Sequence, residues 1–171
     1  MEHSDVVLPR LLKIQLFSDF DLNDPEDKRI LLEFYNIISI KKYKKGDVII
    51  REGESGDLFY ILYSGSVQVL RNTPAGDTMA LANLDSDQNV FFGEAALIGR
   101  DKRSATVKAI TEVSTIALSG KKFYELCKKE PSLGWRVVLS LAKRMSKTIQ
   151  ETNNDKTTLY EALCNEIEFG S

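Results

Sequence analysis

Hydrophobic positions change their period twice along this chain. Between residues 25 and 38, Ile30, Leu31, Phe34, Tyr35 and Ile38 recur at helical spacing. Asn23-Asp24-Pro25 supplies a start signal, with proline in the first turn and Glu26 and Asp27 complementing the helix dipole. Upstream, Leu11, Leu12, Ile14, Leu16 and Phe17 form a short apolar segment, read as a helical turn.

From Ser39 to Leu118 short apolar runs replace this pattern, separated by turn signals every eight to twelve residues or so, as in an all-β sandwich or barrel. The runs are Val48–Ile50, Leu58–Tyr63, Val67–Leu70, Met79–Leu84, Asn89–Phe92, Thr106–Ile110 and Val113–Leu118. Glycine, proline, serine and aspartate punctuate them, as in Lys45-Gly46-Asp47 and Pro74-Ala75-Gly76-Asp77. After Leu118 the helical period returns. Ser119 is a candidate N-cap, and Pro131 ends one helix and opens the next. In that next helix Val138, Leu141, Ala142, Met145 and Ile149 make an apolar stripe. Because the stripe is short, the reading favours packing on the barrel over a dimer seam. A polar break at Thr152–Lys156 precedes a last segment carrying Leu159, Leu163 and Ile167 at spacing four.

One stretch fits neither period. Gly93 to Arg103 lies between two strands and is too long for a tight hairpin. Glu94 to Ile98 suits one helical turn ended by Gly99, and the start of a turn offers unpaired N–H groups to an anion. Gly93 permits an unusual dihedral or a close approach. Ala96 and Ala105 leave room for a ligand to reach the backbone. Arg103, nine residues after Glu94, carries a fork suited to phosphate. Glu94 repels a phosphate and suits a hydroxyl, so the pair points to a ribose phosphate.

Composition narrows the classes. Of 171 residues, 43% are hydrophobic and 28% charged, as in an ordinary globular domain. The formal net charge of −2 argues against a nucleic-acid binder. Lys41-Lys42, Lys44-Lys45, Lys121-Lys122 and Lys128-Lys129 are dispersed among acids and read as solvated faces. No apolar run approaches the ~20 residues that span a bilayer, and no secretory signal is visible at the N-terminus. Cys127 and Cys164 lack metal or redox spacing and read as free thiols in a reducing cytoplasm. The single histidine, His3, leaves no His-based triad or metal cluster. An enzyme is not expected, and no metal or cofactor is implied.

The segment Phe92-Gly93-Glu94-Ala95-Ala96-Leu97 through Arg103-Ser104-Ala105-Thr106 strongly resembles the phosphate-binding cassette of cyclic nucleotide-binding domains. This family includes the regulatory subunits of cyclic-AMP-dependent protein kinase, the catabolite activator transcription factors and the cyclic-nucleotide-gated channels. Lys44–Leu70 resembles the same domain's early strands and Leu11–Phe20 its first helix, so the likeness covers roughly residues 8 to 150. It implies a mainly β fold with flanking helices: a jelly-roll barrel over residues 39–118, with the cassette at 92–106. N-terminal helices over 1–38 and C-terminal helices over 119–171 flank it in one domain.

The resemblance also implies a ligand, cAMP ahead of cGMP, and roles for residues. Glu94 accepts from the ribose 2′-hydroxyl, and Arg103 pairs with the cyclic phosphate. Backbone N–H groups around Ala96 and Ser104–Ala105 complete the cradle, with Phe92, Gly93 and Ala95 in the same wall. Asp57 orients the arginine, and Leu97 moves inward with ligand and draws the following helix down. Ser104 does not decide the base. Plainer readings stay open: a simple Glu94–Arg103 salt bridge, a turn role for Asp57, a core role for Leu97. Trp135, Tyr160 and Phe169 are candidate lids over the purine. Ala95 is smaller than the leucine or methionine common in the family, which implies looser packing under the cassette.

About twenty residues follow Glu151, too few for a helix-turn-helix. The expectation is a stand-alone cytoplasmic sensor that signals to a partner protein or a second copy, without binding DNA or membrane. The alternatives are a scaffold with a vestigial pocket and a transcription regulator subunit lacking its own DNA-binding part.

Overall fold

Asp24 starts the second helix as its sequence predicts. Its Oδ1 accepts the N–H groups of Glu26 and Asp27, both at 2.9 Å, and Pro25 takes the first turn. The computed structural model describes residues 4–99 and 102–169, with side chains to Ala162 and that of Cys164. Helices α1 (Ser4–Leu11) and α2 (Pro25–Ile37), joined through a 3-10 turn at Gln15–Phe17, precede the strands.

Eight strands follow: β1 (Ser39–Tyr43), β2 (Val48–Ile50), β3 (Leu58–Ser64), β4 (Ser66–Asn72), β5 (Thr78–Asp85), β6 (Phe91–Phe92), β7 (Thr106–Ala109) and β8 (Val113–Ser119). They form two antiparallel four-stranded sheets, ordered β1-β8-β3-β6 and β2-β7-β4-β5. The short helix α3 (Ala95–Ile98) interrupts the strands between β6 and β7, and α4 (Gly120–Lys129) and α5 (Pro131–Phe169) close the chain. The expected mainly β fold with flanking helices is the one observed.

Strands β3, β6 and β8 of the first sheet are buried on both faces, and their alternation sorts side chains into two cores. Phe59, Ile61, Phe91, Ile116 and Leu118 face the helices, joining Leu11, Phe17, Phe34, Leu133 and Val137. Tyr60, Leu62, Phe92 and Ala117 point the other way, into the barrel with Ile50, Val67 and Val107. Adjacent Phe91 and Phe92 therefore belong to different layers, and the strand feeding the cassette touches both. The outer strand β5 is exposed along nearly its whole length.

Three expectations about the C-terminal part are corrected. Ser119 is the N-cap residue of α4, but its side chain does not cap; it donates to Asp57 Oδ2 at 2.9 Å. The polar break at Thr152–Lys156 is helical, inside a continuous α5. None of its residues is glycine or proline, so a weak propensity of a few tenths of a kcal/mol each does not stop a helix carried in from both sides. Of the stripe, Leu141 alone packs into the core, beside Leu133 and Val137; Val138, Ala142, Met145 and Ile149 are exposed. The side chains of Leu163, Ile167 and Phe169, and His3 as a whole, lie outside the described residues.

Ion pairs fasten the elbow between α4 and α5 to α2. Arg29 donates from both terminal nitrogens to the two oxygens of Glu130, each at 2.7 Å. Arg136 reaches Asp27 at 2.7 Å and lies over the Phe20 ring, while Arg144 lies over Phe91. Hydrogen bonds from Arg29 hold the Glu130 carboxyl below the usual carboxylate range. A carboxyl depressed in the folded state contributes stability that is complete above its unfolded pKa and disappears as pH falls through the folded one. The loss in melting temperature caused by Glu130→Gln is therefore expected in full near neutral pH. It should narrow only as pH falls below about 4, the ordinary carboxyl range. Calorimetry across pH checks this; a loss that stays constant down to strong acid contradicts it.

Candidate functional site

Arg103 stands at the centre of the irregular segment and is pinned at its backbone. Its N–H donates to the Glu54 carbonyl and its own carbonyl accepts from Gly53, both at 2.9 Å. Ser55 and Lys102 form an isolated bridge beside them. The loop from β2 to β3 thus holds the second half of the segment. The Arg103 side chain runs inward and is only 9% exposed. Nη2 donates to the Leu58 carbonyl at 2.6 Å and Nη1 to the Gly93 carbonyl at 3.3 Å. Gly93 has φ +74°, and a Cβ there would lie 2.9 Å from Nη1 and 3.1 Å from both Ile50 and the Leu58 carbonyl. Glycine is needed both for the dihedral and for the arginine's space.

The electrostatics follow from those partners. Both are neutral carbonyl oxygens, and among the described residues Arg103 makes no ion pair. A guanidinium does not shed its proton. Among the described residues this buried cation has its hydrogen bonds partly met by carbonyls and no carboxylate partner, an arrangement with a desolvation cost. The salt-bridge reading of Glu94 and Arg103 is not what the structure shows.

Glu94 is half-buried at the N-cap of α3, with helical dihedrals and no side-chain capping bond. Among the described residues its carboxylate accepts no hydrogen bond. Ala95 is half-buried and Ala96 buried. The Ala96 N–H, expected to face phosphate, donates to the Gly93 carbonyl at 3.1 Å, and Leu97 N–H donates to Glu94 at 2.9 Å. The turn consumes these donors in this state. By contrast, the N–H groups of Ser104 and Ala105 take no backbone acceptor among the described residues. Ser104 is exposed and Ala105 half-buried. Phe92 is buried in the barrel, stacked on Tyr60 with centroids 5.3 Å apart.

Asp57 does not orient Arg103 here. Its side chain accepts from Ser119 and its carbonyl from Gly120 N–H at 2.7 Å, so it ties β3 to the start of α4. The carbonyls of Leu58 and Gly93 orient the arginine instead. Sequence reasoning missed both, since a carbonyl leaves no residue-type signal. Leu97 is half-buried and packs on the helical-side core. On the same short helix, the Ala96 carbonyl sits where a Cβ at Gly120 would be. Cassette and α4 are therefore in backbone contact.

A cleft of about 190 Å³ opens beside Arg103, lined by Ile50, Arg51, Glu54, Gly56, Leu58 and Tyr60. Larger clefts lie at the far barrel end, by Tyr43 and Glu112, and between α2 and α4, by Glu33 and Lys122. Neither contains a buried cation, and the chemistry stays with Arg103. The aromatic lid candidates Trp135 and Tyr160 are largely exposed and do not line its cleft.

Comparison with known proteins adds an independent line. The profile of the cyclic nucleotide-binding domain matches residues 40–130. The chain is 42% identical over 87 residues to human cGMP-dependent protein kinase 2, covering 51% of this chain and 11% of the kinase. It is 31% identical over 134 residues to the cAMP-activated global transcriptional regulator CRP of Escherichia coli, covering 78% of this chain and 63% of the regulator. Among solved structures, the N-terminal domain of a transcriptional regulator from Streptomyces coelicolor superposes with TM-score 0.70 at 26% identity. That match covers 84% of this chain and 94% of the other. The chain spans less than two thirds of the curated relatives it matches. Among the described residues no helix is long and apolar enough to cross a membrane.

Proposed function

The chain belongs to the cyclic nucleotide-binding domain family, and from that membership we propose that it is a non-catalytic cyclic nucleotide sensor, with cAMP the favoured ligand and cGMP its competitor. The observation that carries the reading is Arg103: a buried guanidinium facing a cleft whose partners among the described residues are neutral carbonyls. The cyclic phosphate takes the place of those carbonyls or adds to them, and the Ser104 and Ala105 N–H groups donate to it. Glu94 accepts from the ribose 2′-hydroxyl. The purine lies toward Tyr60 and the cleft mouth.

Binding is coupled to shape through α3. Phosphate competes for the donors that α3 now uses, and any shift of α3 moves the Ala96 carbonyl against Gly120 and Leu97 within the helical core. Helices α4 and α5 then move relative to α2, loosening the Arg29–Glu130 and Arg136–Asp27 pairs or dragging them along. The output is a population shift, driven by better ligand contacts in one arrangement and read by a partner. The setting is the cytoplasm. Both cysteines are free, and burial pushes the Cys127 thiol up to about 11, which suits an inert core residue.

Titration calorimetry of the whole chain with cAMP and cGMP tests the proposal; heat from neither at about millimolar ligand, weaker than about −4 kcal/mol, sinks it. A second arm isolates Glu94. The chain should prefer a ribose nucleotide over its 2′-deoxy analogue by about 10- to 100-fold, the worth of a charged hydrogen bond. Glu94→Ala should erase that preference. A preference that survives in the variant places the ribose elsewhere.

A further inference from the structure

The lysine pairs that the sequence reads as solvated faces divide in the structure. Lys128 and Lys129 meet Glu125 and Glu33. Lys42 and Lys44 are exposed, make no ion pair among the described residues, and line the cleft of about 670 Å³ at the far end of the barrel. Strand pairing builds its floor. Lys42 of β1 and Ser64 of β3 both pair with Ser114 of β8, so an ammonium stem and two hydroxyls stand in a row across three adjacent strands. Tyr43 adds an aromatic wall, and the exposed Glu112 stands on the rim. The Asp47 carboxylate is occupied by the Lys44 N–H at 2.8 Å. Exposed Lys41 and Lys45 extend the positive field, in a chain whose formal charge is −2. Two ammonium groups beside two hydroxyls suit a phosphate. Glu112 repels a phosphate and suits a sugar hydroxyl. The volume is that of a small-molecule site.

The same cleft reaches the barrel interior. Tyr60 pairs with Ala117 on one side of β8 and Tyr43 with Val113 on the other, with Thr115 midway along the strand. Both tyrosines pack in the barrel core, where burial first, and then the neighbouring Tyr60, raise the Tyr43 phenol well above its ordinary pKa. Thr115 Oγ1 is wholly buried and has no hydrogen-bond partner among the described residues. Tyr60 in turn lines the Arg103 cleft and stacks on Phe92. Tyr43 therefore stands between the two clefts. We propose that the far-end cleft is a second ligand site, which takes a sugar phosphate on Lys42, Lys44 and the two serines and is coupled to the Arg103 cleft through Tyr43 and Tyr60. A sugar phosphate against the Tyr43 ring moves its hydroxyl relative to Thr115, and Tyr60 follows. The unmet Thr115 hydroxyl makes the two positions of the tyrosine unequal in energy, and unequal states are what differential binding acts on. The binding half stands on the far-end cleft alone, while the coupling half rests on the sensor reading.

The first arm of the test uses the full chain carrying Arg103→Ala, which takes the cassette out of the measurement. Calorimetric titration with ribose 5-phosphate, glucose 6-phosphate and 5′-AMP should give a Kd below about a millimolar for at least one of them, with inorganic phosphate about tenfold weaker or more. Lys42→Glu combined with Lys44→Glu should abolish that binding. Ser114→Ala, which changes no charge, should weaken it by about tenfold and leave the β-sheet circular dichroism spectrum unchanged. Heat from none of the three compounds overturns the proposal; so does equal binding of inorganic phosphate, or binding untouched by these substitutions. The second arm uses the wild-type chain. The tightest of the three compounds should change cAMP affinity by about fivefold or more, and cAMP should change its affinity by the same factor. The shift should vanish in the Lys42→Glu, Lys44→Glu chain, which excludes competition at Arg103. Tyr43→Phe keeps the ring and loses the hydroxyl, so it should preserve far-end binding and erase the shift. Independent affinities in the wild type, or a shift unchanged in Tyr43→Phe, overturn the coupling. A wild-type chain that binds no cAMP removes the sensor reading, and the first arm still decides the far-end site.

Discussion

Arg103→Ala is expected to lower cyclic nucleotide affinity by about 10²- to 10³-fold and to leave the barrel folded. The magnitude comes from the interaction removed. A bidentate guanidinium–phosphate contact in a buried site is charge-assisted, and losing one partner of such a pair costs about 2–5 kcal/mol. At about 1.4 kcal/mol per decade that is roughly one and a half to three and a half decades in affinity, with about 10²- to 10³-fold in the middle of the range. The fold should survive because the backbone of residue 103, not its side chain, carries the hydrogen bonds to Gly53 and Glu54. Leu58, whose carbonyl is freed, lines the cleft beside residue 103. Removing a buried cation that has no carboxylate partner among the described residues also relieves a desolvation cost, which offsets part of the lost packing. Arg103→Lys should recover little, since an ammonium lacks the fork that reaches both carbonyls and a phosphate. Calorimetric titration paired with thermal melts reads both effects. Affinity within a factor of two of wild type would put the phosphate elsewhere; a lost melting transition would make the arginine structural.

Much of this was legible in the sequence where a residue type does one job. Asp24-Pro25 starts a helix, the unbroken apolar run Leu58–Tyr63 marks a strand, and the Gly93–Arg103 interruption marks the irregular segment. Strand β1 was not separated from its surroundings. Ser-Ile-Lys-Lys-Tyr has no clean alternation, because β1 is an edge strand paired only to β8 with most of its residues exposed. The length of α5 was hidden by Thr152–Lys156, whose polar residues of weak helix propensity read as a break although the helix runs through them. Asp57 was assigned to Arg103 on family resemblance; in this structure Ser119 competes for it successfully. Sequence patterns locate charged side chains well. They do not show which backbone carbonyls those side chains will meet, and those carbonyls define this site.

The contact that links the site to the helices is itself made of backbone, and one added methyl tests it. Gly120 opens α4 with its Cα against the Ala96 carbonyl of the cassette helix, and a Cβ there collides with that oxygen. No side-chain rotation relieves the clash. The 2.7 Å bond from Gly120 N–H to the Asp57 carbonyl keeps α4 from retreating, and Ser119 adds a second tether. Gly120→Ala must therefore push α3 away or break the anchor of α4. Either displacement in a packed junction costs about 2–3 kcal/mol, which lowers the melting temperature of a chain this size by roughly 5–10 °C. Saturating nucleotide should change that deficit. If ligand binding moves α3 away from Gly120, the bound form accommodates the methyl, and the variant's deficit shrinks on binding. If ligand draws the two helices closer, the deficit grows and affinity falls with it, since the two are linked. An unchanged melting temperature would mean the helices do not touch as described. A deficit identical with and without ligand would remove the Ala96–Gly120 contact from the path between cassette and C-terminal helices.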